Sequence, residues 1–212
     1  IVVYLMNGRP LTINKIAAQA DAILEGWYLG EATGTAVSDI LLGKVNPSGR
    51  LNISFPRSVG NLPAYYNRHP SAFGLRYINA ENTPLYPFGY GLSYTSFKYG
   101  EPRLDTPEIS TDGKAVLSID VTNTGTVEGK ETVQLYVRDD VSSVTRPIKE
   151  LKGFRKISLK PGEKQTVSFT IDRNILKFFN RSMQEVVEPG SFTLMVGTNS
   201  VDLHDIKLNV KL

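Results

Sequence analysis

Ten consecutive residues, Tyr86-Pro87-Phe88-Gly89-Tyr90-Gly91-Leu92-Ser93-Tyr94-Thr95, hold three tyrosines, a phenylalanine, two glycines and a proline. Proline lacks an N–H and glycine is unfavourable inside regular elements, so this mix suits neither a helix interior nor a central strand. Aromatic residues this dense are also too apolar for an ordinary solvated loop. The segment is expected to lie packed on a surface, as a seam between two units of different kind. The reading places residues 1–85 before it, the seam at 86–96, and a second unit at 97–212.

The first unit alternates strand and helix. Residues 1–6 (IVVYLM) form an unbroken apolar run ending at Asn7-Gly8-Arg9-Pro10. That pattern predicts a strand buried on both faces, as in parallel sheets. Residues 11–20 carry Ile13, Ile16, Ala17 and Ala20 at helical spacing. A second apolar strand is expected over 22–28, with Trp27 in the core. A second helix is expected over 31–42, with Ala36, Val37, Ile40 and Leu41 on one face, Gly43 just past its end and Pro47 beyond. A short strand is expected at 51–55. The fold class is an incomplete α/β sandwich with a mostly parallel sheet. Two or three such strands cannot bury a doubly covered sheet. A strand at residue 1 with no polar lead-in is expected to need neighbours, either from a larger α/β domain of which this is the back half, or from a strand-swapped oligomer.

After Phe97 the apolar period becomes two. Leu117, Ile119 and Val121 alternate with polar residues, as do Val133, Leu135 and Val137; Val167, Phe169 and Ile171, then Phe192, Leu194 and Val196, then Ile206, Leu208 and Val210 fall at the same spacing. Turn signals at Asn123-Thr124-Gly125, Pro161-Gly162 and Pro189-Gly190 separate them. With strands near 97–104 and 151–159, about seven short strands predict an all-β sandwich of immunoglobulin-like size. Residues 172–179 are expected to form a short helical crossover, with Ile175, Leu176 and Phe179 facing inward.

Composition narrows the function. Hydrophobic residues make up 41% and charged residues 21%, enough for a core. The net charge is +3, and Lys149, Lys152, Arg155 and Lys156, broken by Glu150, read as a solvated strand face rather than a nucleic-acid patch. The absence of cysteine excludes disulfides, thiolate metal sites and thiol catalysis. No stretch approaches a membrane span. His69 and His204 lack companions at ligand spacing and are expected at the surface, so no metal and no cofactor are expected. Asn52-Ile53-Ser54 and Asn180-Arg181-Ser182 fit the glycosylation pattern.

Taken in order, Leu5 to Leu11, Ala22 to Glu25 with Trp27, Asn46-Pro47-Ser48-Gly49-Arg50-Leu51, Phe55-Pro56-Arg57-Ser58-Val59-Gly60, Arg76-Tyr77, Tyr86 to Thr95, Arg146-Pro147, Leu151-Lys152-Gly153-Phe154 and Glu188-Pro189-Gly190 resemble the C-terminal part of glycoside hydrolase family 3, most of all bacterial β-glucosidases of the periplasmic type. The resemblance covers nearly the whole chain. It implies the end of an α/β sandwich domain followed by a fibronectin type III-like domain. It also implies a retaining, exo-acting β-glucosidase as parent, periplasmic or secreted, acting on a β-glucoside or oligosaccharide. A homodimer is compatible with it. The nucleophilic aspartate and the acid/base glutamate are implied to lie upstream of Ile1, so no catalytic residue is expected here. The alternative is a non-catalytic structural or glycan-binding module.

Glu25, beside Trp27, and Glu31 and Asp39 are read as structural. The family commonly has a glutamate one place after Glu31, where this chain has Ala32, so no role passes to Glu31 by analogy. Arg76 and Tyr77 are the candidate substrate-binding residues. In open parallel sheets ligands sit at the C-terminal strand ends, which adds Asn7, Gly8, Arg9 and residues 27–30. The seam aromatics, Tyr90 and Tyr94 among them, are expected to clamp the two units together.

Overall fold

The computed structural model describes residues 1–70, 81 and 83–212. Strand β1 (Val2–Leu5) and strand β2 (Ala22–Glu25) pair in parallel, from Val2 opposite Ala22 to Leu5 opposite Glu25. Helix α1 (Asn14–Gln19) connects them and helix α2 (Thr33–Leu41) follows. Both helices are shorter than the sequence pattern predicts. Neither contains a fully buried residue, and the anchor of the first is Ile13, just ahead of it. Gly43 closes α2 at φ +72°, donating its N–H to the Ile40 carbonyl at 2.9 Å.

Two further expectations change. Strand β2 ends at Glu25; Gly26 N–H still donates to Leu5 O at 3.0 Å, and Gly26 lies against the Tyr4 ring, where any side chain would overlap it. The backbone then turns, and Trp27 adopts a left-handed φ of +50° and is half-buried, outside the strand. Residues 51–55 form no strand with β1 or β2. They run extended against the aromatic segment instead, through a single bridge between Phe55 and Tyr86.

The second unit is a two-sheet sandwich. One sheet joins five strands in the order β5 (Glu108–Ser110), β13 (Leu203–Lys211), β12 (Gly190–Gly197), β7 (Gly129–Asp139) and β8 (Glu150–Leu159). In the other, β6 (Ala115–Asn123) pairs with β3 (Phe97–Tyr99), β4 (Arg103–Leu104) and β9 (Lys164–Ile171). The alternating rows meet face to face. Leu117, Ile119, Val121, Val133, Leu135, Ile171, Leu194, Val196 and Leu208 are all fully buried. Burial of each such side chain contributes roughly 1.5–3 kcal/mol.

The crossover is corrected in one place. Asp172 caps helix α3 (Arg173–Leu176) by accepting from Asn174 N–H at 2.9 Å, and Leu176 is buried. Lys177 then turns extended, which reverses the alternation in β10 (Phe178–Phe179). Phe178 is therefore the inward residue, 4% exposed beneath Arg146, and Phe179 is 58% exposed. Strand β11 (Glu185–Val186) pairs with β10.

The basic residues of β8 and its approach also differ from a uniform solvated face. Lys149 is half-buried and donates to Ser200 O at 2.7 Å, and Lys152 pairs with Glu150. Arg155 and Lys156 are exposed. His69 is exposed, but His204 is half-buried with its ring parallel to that of Tyr99, 6.3 Å away.

Candidate functional site

Three places in the described structure carry polar chemistry: the rim of the α/β unit, the seam, and the loop between β7 and β8.

The rim is formed where β1 and β2 end. Asn7 Nδ2 donates to Arg9 O at 2.6 Å and shapes the first turn. The Glu25 carboxylate accepts the Trp27 N–H at 2.9 Å. Burial pushes the Glu25 carboxyl above its ordinary value, against the opposing hydrogen bonds from Trp27 and Asn7. The bond to Trp27 holds the strained turn, and the Trp27 ring rests 6.0 Å from Phe55. Tyr28 is thereby delivered to the outside at 77% exposure. One edge of its ring seats on Gly8, where an added Cβ would come within 2.8 Å of it. Arg9 and Glu31 are exposed beside this turn region, and Ala32 is the residue before the first turn of α2. Arg76 and Tyr77 lie outside the described residues.

The seam is dense. Leu51 N–H donates to Tyr90 O, Gly89 N–H to Leu51 O, Phe55 N–H to Tyr86 O and Leu85 N–H to Phe55 O, all at 2.7–2.8 Å. Asn46 Nδ2 donates to Glu128 O, while its Oδ1 accepts from Ser93 Oγ and Tyr94 N–H, each at 2.8 Å. Tyr94 donates to Ile40 O at 2.7 Å, and Tyr90 stacks on Tyr86 at 5.3 Å. Tyr66 stacks on Phe88 at 4.2 Å and meets Tyr136 edge-on at 5.7 Å. Gln134 Nε2 donates to Gly89 O and Thr198 O, and its Oε1 accepts from Tyr136. At the centre Glu131, 1% exposed, accepts from Arg50 at 2.6 Å and from the Tyr99 hydroxyl at 2.9 Å. Burial, reinforced by the Glu131 charge, keeps the Tyr99 hydroxyl protonated far above its ordinary range.

In the third place Arg138, Asp139, Ser142, Thr145 and Arg146 border an open cavity of about 250 Å³. Its carboxyl is constrained: burial pushes Asp139 up to about 6, with Arg146 opposing and Glu188 reinforcing. Arg146 donates to Glu150 and lies over Phe178, and Ser143 donates through both N–H and Oγ to Glu188. These contacts shape a loop. Elsewhere Asp120 is held well below its ordinary range by hydrogen bonds from Arg103, Lys164 and Thr166. Among the described residues no group of three or more His, Cys, Asp or Glu is placed to hold a metal.

Residues 1–94 match the family model of the glycosyl hydrolase family 3 C-terminal domain, and residues 131–200 match that of the fibronectin type III-like domain. The chain carries a glycosyl hydrolase family 3 C-terminal domain followed by a fibronectin type III-like domain. Over its full length it is 50% identical to a β-xylosidase of Formosa agariphila, of which it covers 30%. It is also 50% identical, over 94% of its length, to a periplasmic β-glucosidase of Salmonella typhimurium, covering 28% of that protein. Among solved structures, a β-glucosidase of Erythrobacter marinus superposes with a TM-score of 0.96 at 41% identity, over 99% of this chain and 28% of that one. The β-glucosidase of Listeria innocua in complex with isofagomine superposes at 0.92 and 37% identity, over 99% and 31%. The chain thus spans under a third of the family 3 relatives it matches.

The sequence reading reached the rim positions but missed the buried centre of the seam. A signal for it existed. Glu131 shares the inward parity of Val133, Leu135 and Val137, and a carboxylate in an apolar row requires a partner.

Proposed function

We propose that this chain is the C-terminal portion of a retaining, exo-acting β-glucosidase that releases terminal non-reducing β-D-glucosyl residues, exported to the periplasm or secreted. The observation that carries the reading is the 50% identity to the periplasmic β-glucosidase, running through both the α/β unit and the sandwich. Retaining hydrolysis needs two carboxyl groups about 5–5.5 Å apart across the scissile bond, one as nucleophile and one as acid/base. The distinctive carboxylates of this chain have other partners. Glu131 is bound by Arg50 and Tyr99, Asp120 by Arg103 and Lys164, Asp140 by Lys207 and Thr193, and Glu25 by the Trp27 N–H. The chain's part in the reaction is to complete the α/β domain and brace it against the sandwich. A β-xylosidase is the second reading, favoured by an equal identity to the Formosa protein.

The test is a chimera in which this chain replaces the matching region of the Salmonella β-glucosidase, assayed beside the isolated chain. The chimera is expected to hydrolyse 4-nitrophenyl β-D-glucoside, while the chain alone hydrolyses neither the glucoside nor the xyloside. Turnover by the isolated chain would overturn the proposal. A preference of the native longer protein for the xyloside would select the second reading.

A further inference from the structure

We propose that Tyr28 is a stacking platform for a β-linked sugar ring at the rim of the α/β unit. The identity of the sugar rests on the β-glucosidase reading, whereas the platform rests on the geometry. A tyrosine ring 77% exposed is usually mobile, but this one is seated twice. Its Cε2–Cζ–Oη edge lies directly over Gly8, the one residue type whose lack of Cβ leaves room there. Its backbone is fixed by the left-handed Trp27, which the Glu25 carboxylate and the Phe55 ring hold in place. Strained backbone persists where the surroundings over-determine it, and such places cluster at ligand sites. An exposed and immobilised aromatic face loses little further entropy on binding.

The position agrees with this chemistry. Tyr28 follows β2 at the C-terminal end of two parallel strands, where open α/β sheets bind ligands. A β-linked glucosyl or xylosyl ring presents a C–H face to stack on tyrosine and a rim of equatorial hydroxyls. Arg9, exposed next to Gly8, supplies donors for those hydroxyls, and the Tyr28 hydroxyl both donates and accepts.

The chain has one tryptophan, Trp27, so its fluorescence reports on the neighbouring platform. Titration of the 212-residue chain with cellobiose or xylobiose is expected to give a saturable change, with Kd on the order of 1–10 mM. Tyr28→Phe retains the affinity within about twofold, whereas Tyr28→Ala and Gly8→Ala weaken it by about tenfold or more, the latter by displacing the ring. A urea transition followed by Trp27 fluorescence and unchanged from the parent establishes that the α/β unit of each variant is folded. A flat titration to ~100 mM, or Tyr28→Ala binding as tightly as the parent, overturns the proposal. Neither result bears on the chimera assay, so failure of the platform and failure of the glycosidase reading are separable.

Discussion

The Arg50–Glu131 pair joins the two units through charge, and its removal has a calculable consequence. In Arg50→Met, Glu131, 1% exposed in the parent, keeps only the Tyr99 hydroxyl, at 2.9 Å, to donate to it. Removing one partner of a buried pair costs about 3–5 kcal/mol, because the other charge is left uncompensated. The retained Tyr99 hydrogen bond favours the lower end, ~3 kcal/mol. For a chain of this size each kcal/mol lowers Tm by roughly 2–4 °C, so a loss of about 6–12 °C is expected. The double variant Arg50→Met/Glu131→Met removes both charges but leaves the Tyr99 hydroxyl without its acceptor, so it is expected about 1–2 kcal/mol below the parent and above the single variant. Urea unfolding should be followed by Trp27 fluorescence for the α/β unit and by far-ultraviolet circular dichroism, dominated by the sandwich strands. The two transitions coincide in the parent and separate in Arg50→Met. A single variant losing under ~1 kcal/mol, or a double variant no better than the single, would refute the argument.

Three further outcomes are expected. Gly89→Ala places a Cβ into the Gln134 carboxamide at a φ of +82°, and thermal melts should show a loss of about 2 kcal/mol or more. Asn46→Ala leaves Glu128 O, Ser93 Oγ and Tyr94 N–H without their shared partner, costs about 1–3 kcal/mol, and should speed limited proteolysis within the seam. Asp139 has a folded pKa raised from 3.8 to about 6, so its ionisation opposes folding progressively between those values and fully above about 6. Asp139→Asn should therefore gain stability relative to the parent as pH rises from 4 to 7.5. The thermodynamic equivalent of ~3 kcal/mol is reduced by solvent beside the half-buried group to roughly 1 kcal/mol. Parallel melts at the two pH values check the sign, and a gain confined to low pH would contradict it.

The sandwich was legible because strands such as β6 and β9 carry their own period-two record of which side is inward. Leu117, Ile119 and Val121 need no distant information to be assigned to the core. The crossover failed at Phe178 and Phe179 because an extended Lys177 shifts parity by one, and adjacent phenylalanines carry no mark of which side wins. The end of β2 was hidden for a different reason. Apolar residues continue through Trp27 and Tyr28, and the left-handed Trp27 backbone held by the Glu25 carboxylate, where the chain departs from the strand, leaves no mark in that local pattern. Likewise residues 51–55 have the composition of a strand but find their partner in the seam. Arg50 and Glu131 are 81 positions apart, beyond any local periodicity. The family assignment was legible because it draws on the order of many short motifs, each of which survives independently of contacts.

The pairing of Phe55 with the Tyr86 region has a consequence for how this part of the molecule can vary. Backbone hydrogen bonds at 2.8 Å on either side of Phe55 bring together two points thirty-one positions apart and hold them in the seam. The intervening chain is thereby closed into a ring, and Tyr66 within it adds to the seam by stacking on Phe88 and meeting Tyr136 edge-on. Lengthening a flexible ring is inexpensive in entropy, about 0.6 kcal/mol for each doubling. A change of length within this ring that leaves Tyr66 on Phe88 and the Phe55–Tyr86 bonds in place is therefore expected to spare the brace between the α/β unit and the sandwich. This interval is where the chain can acquire a new surface while keeping its frame.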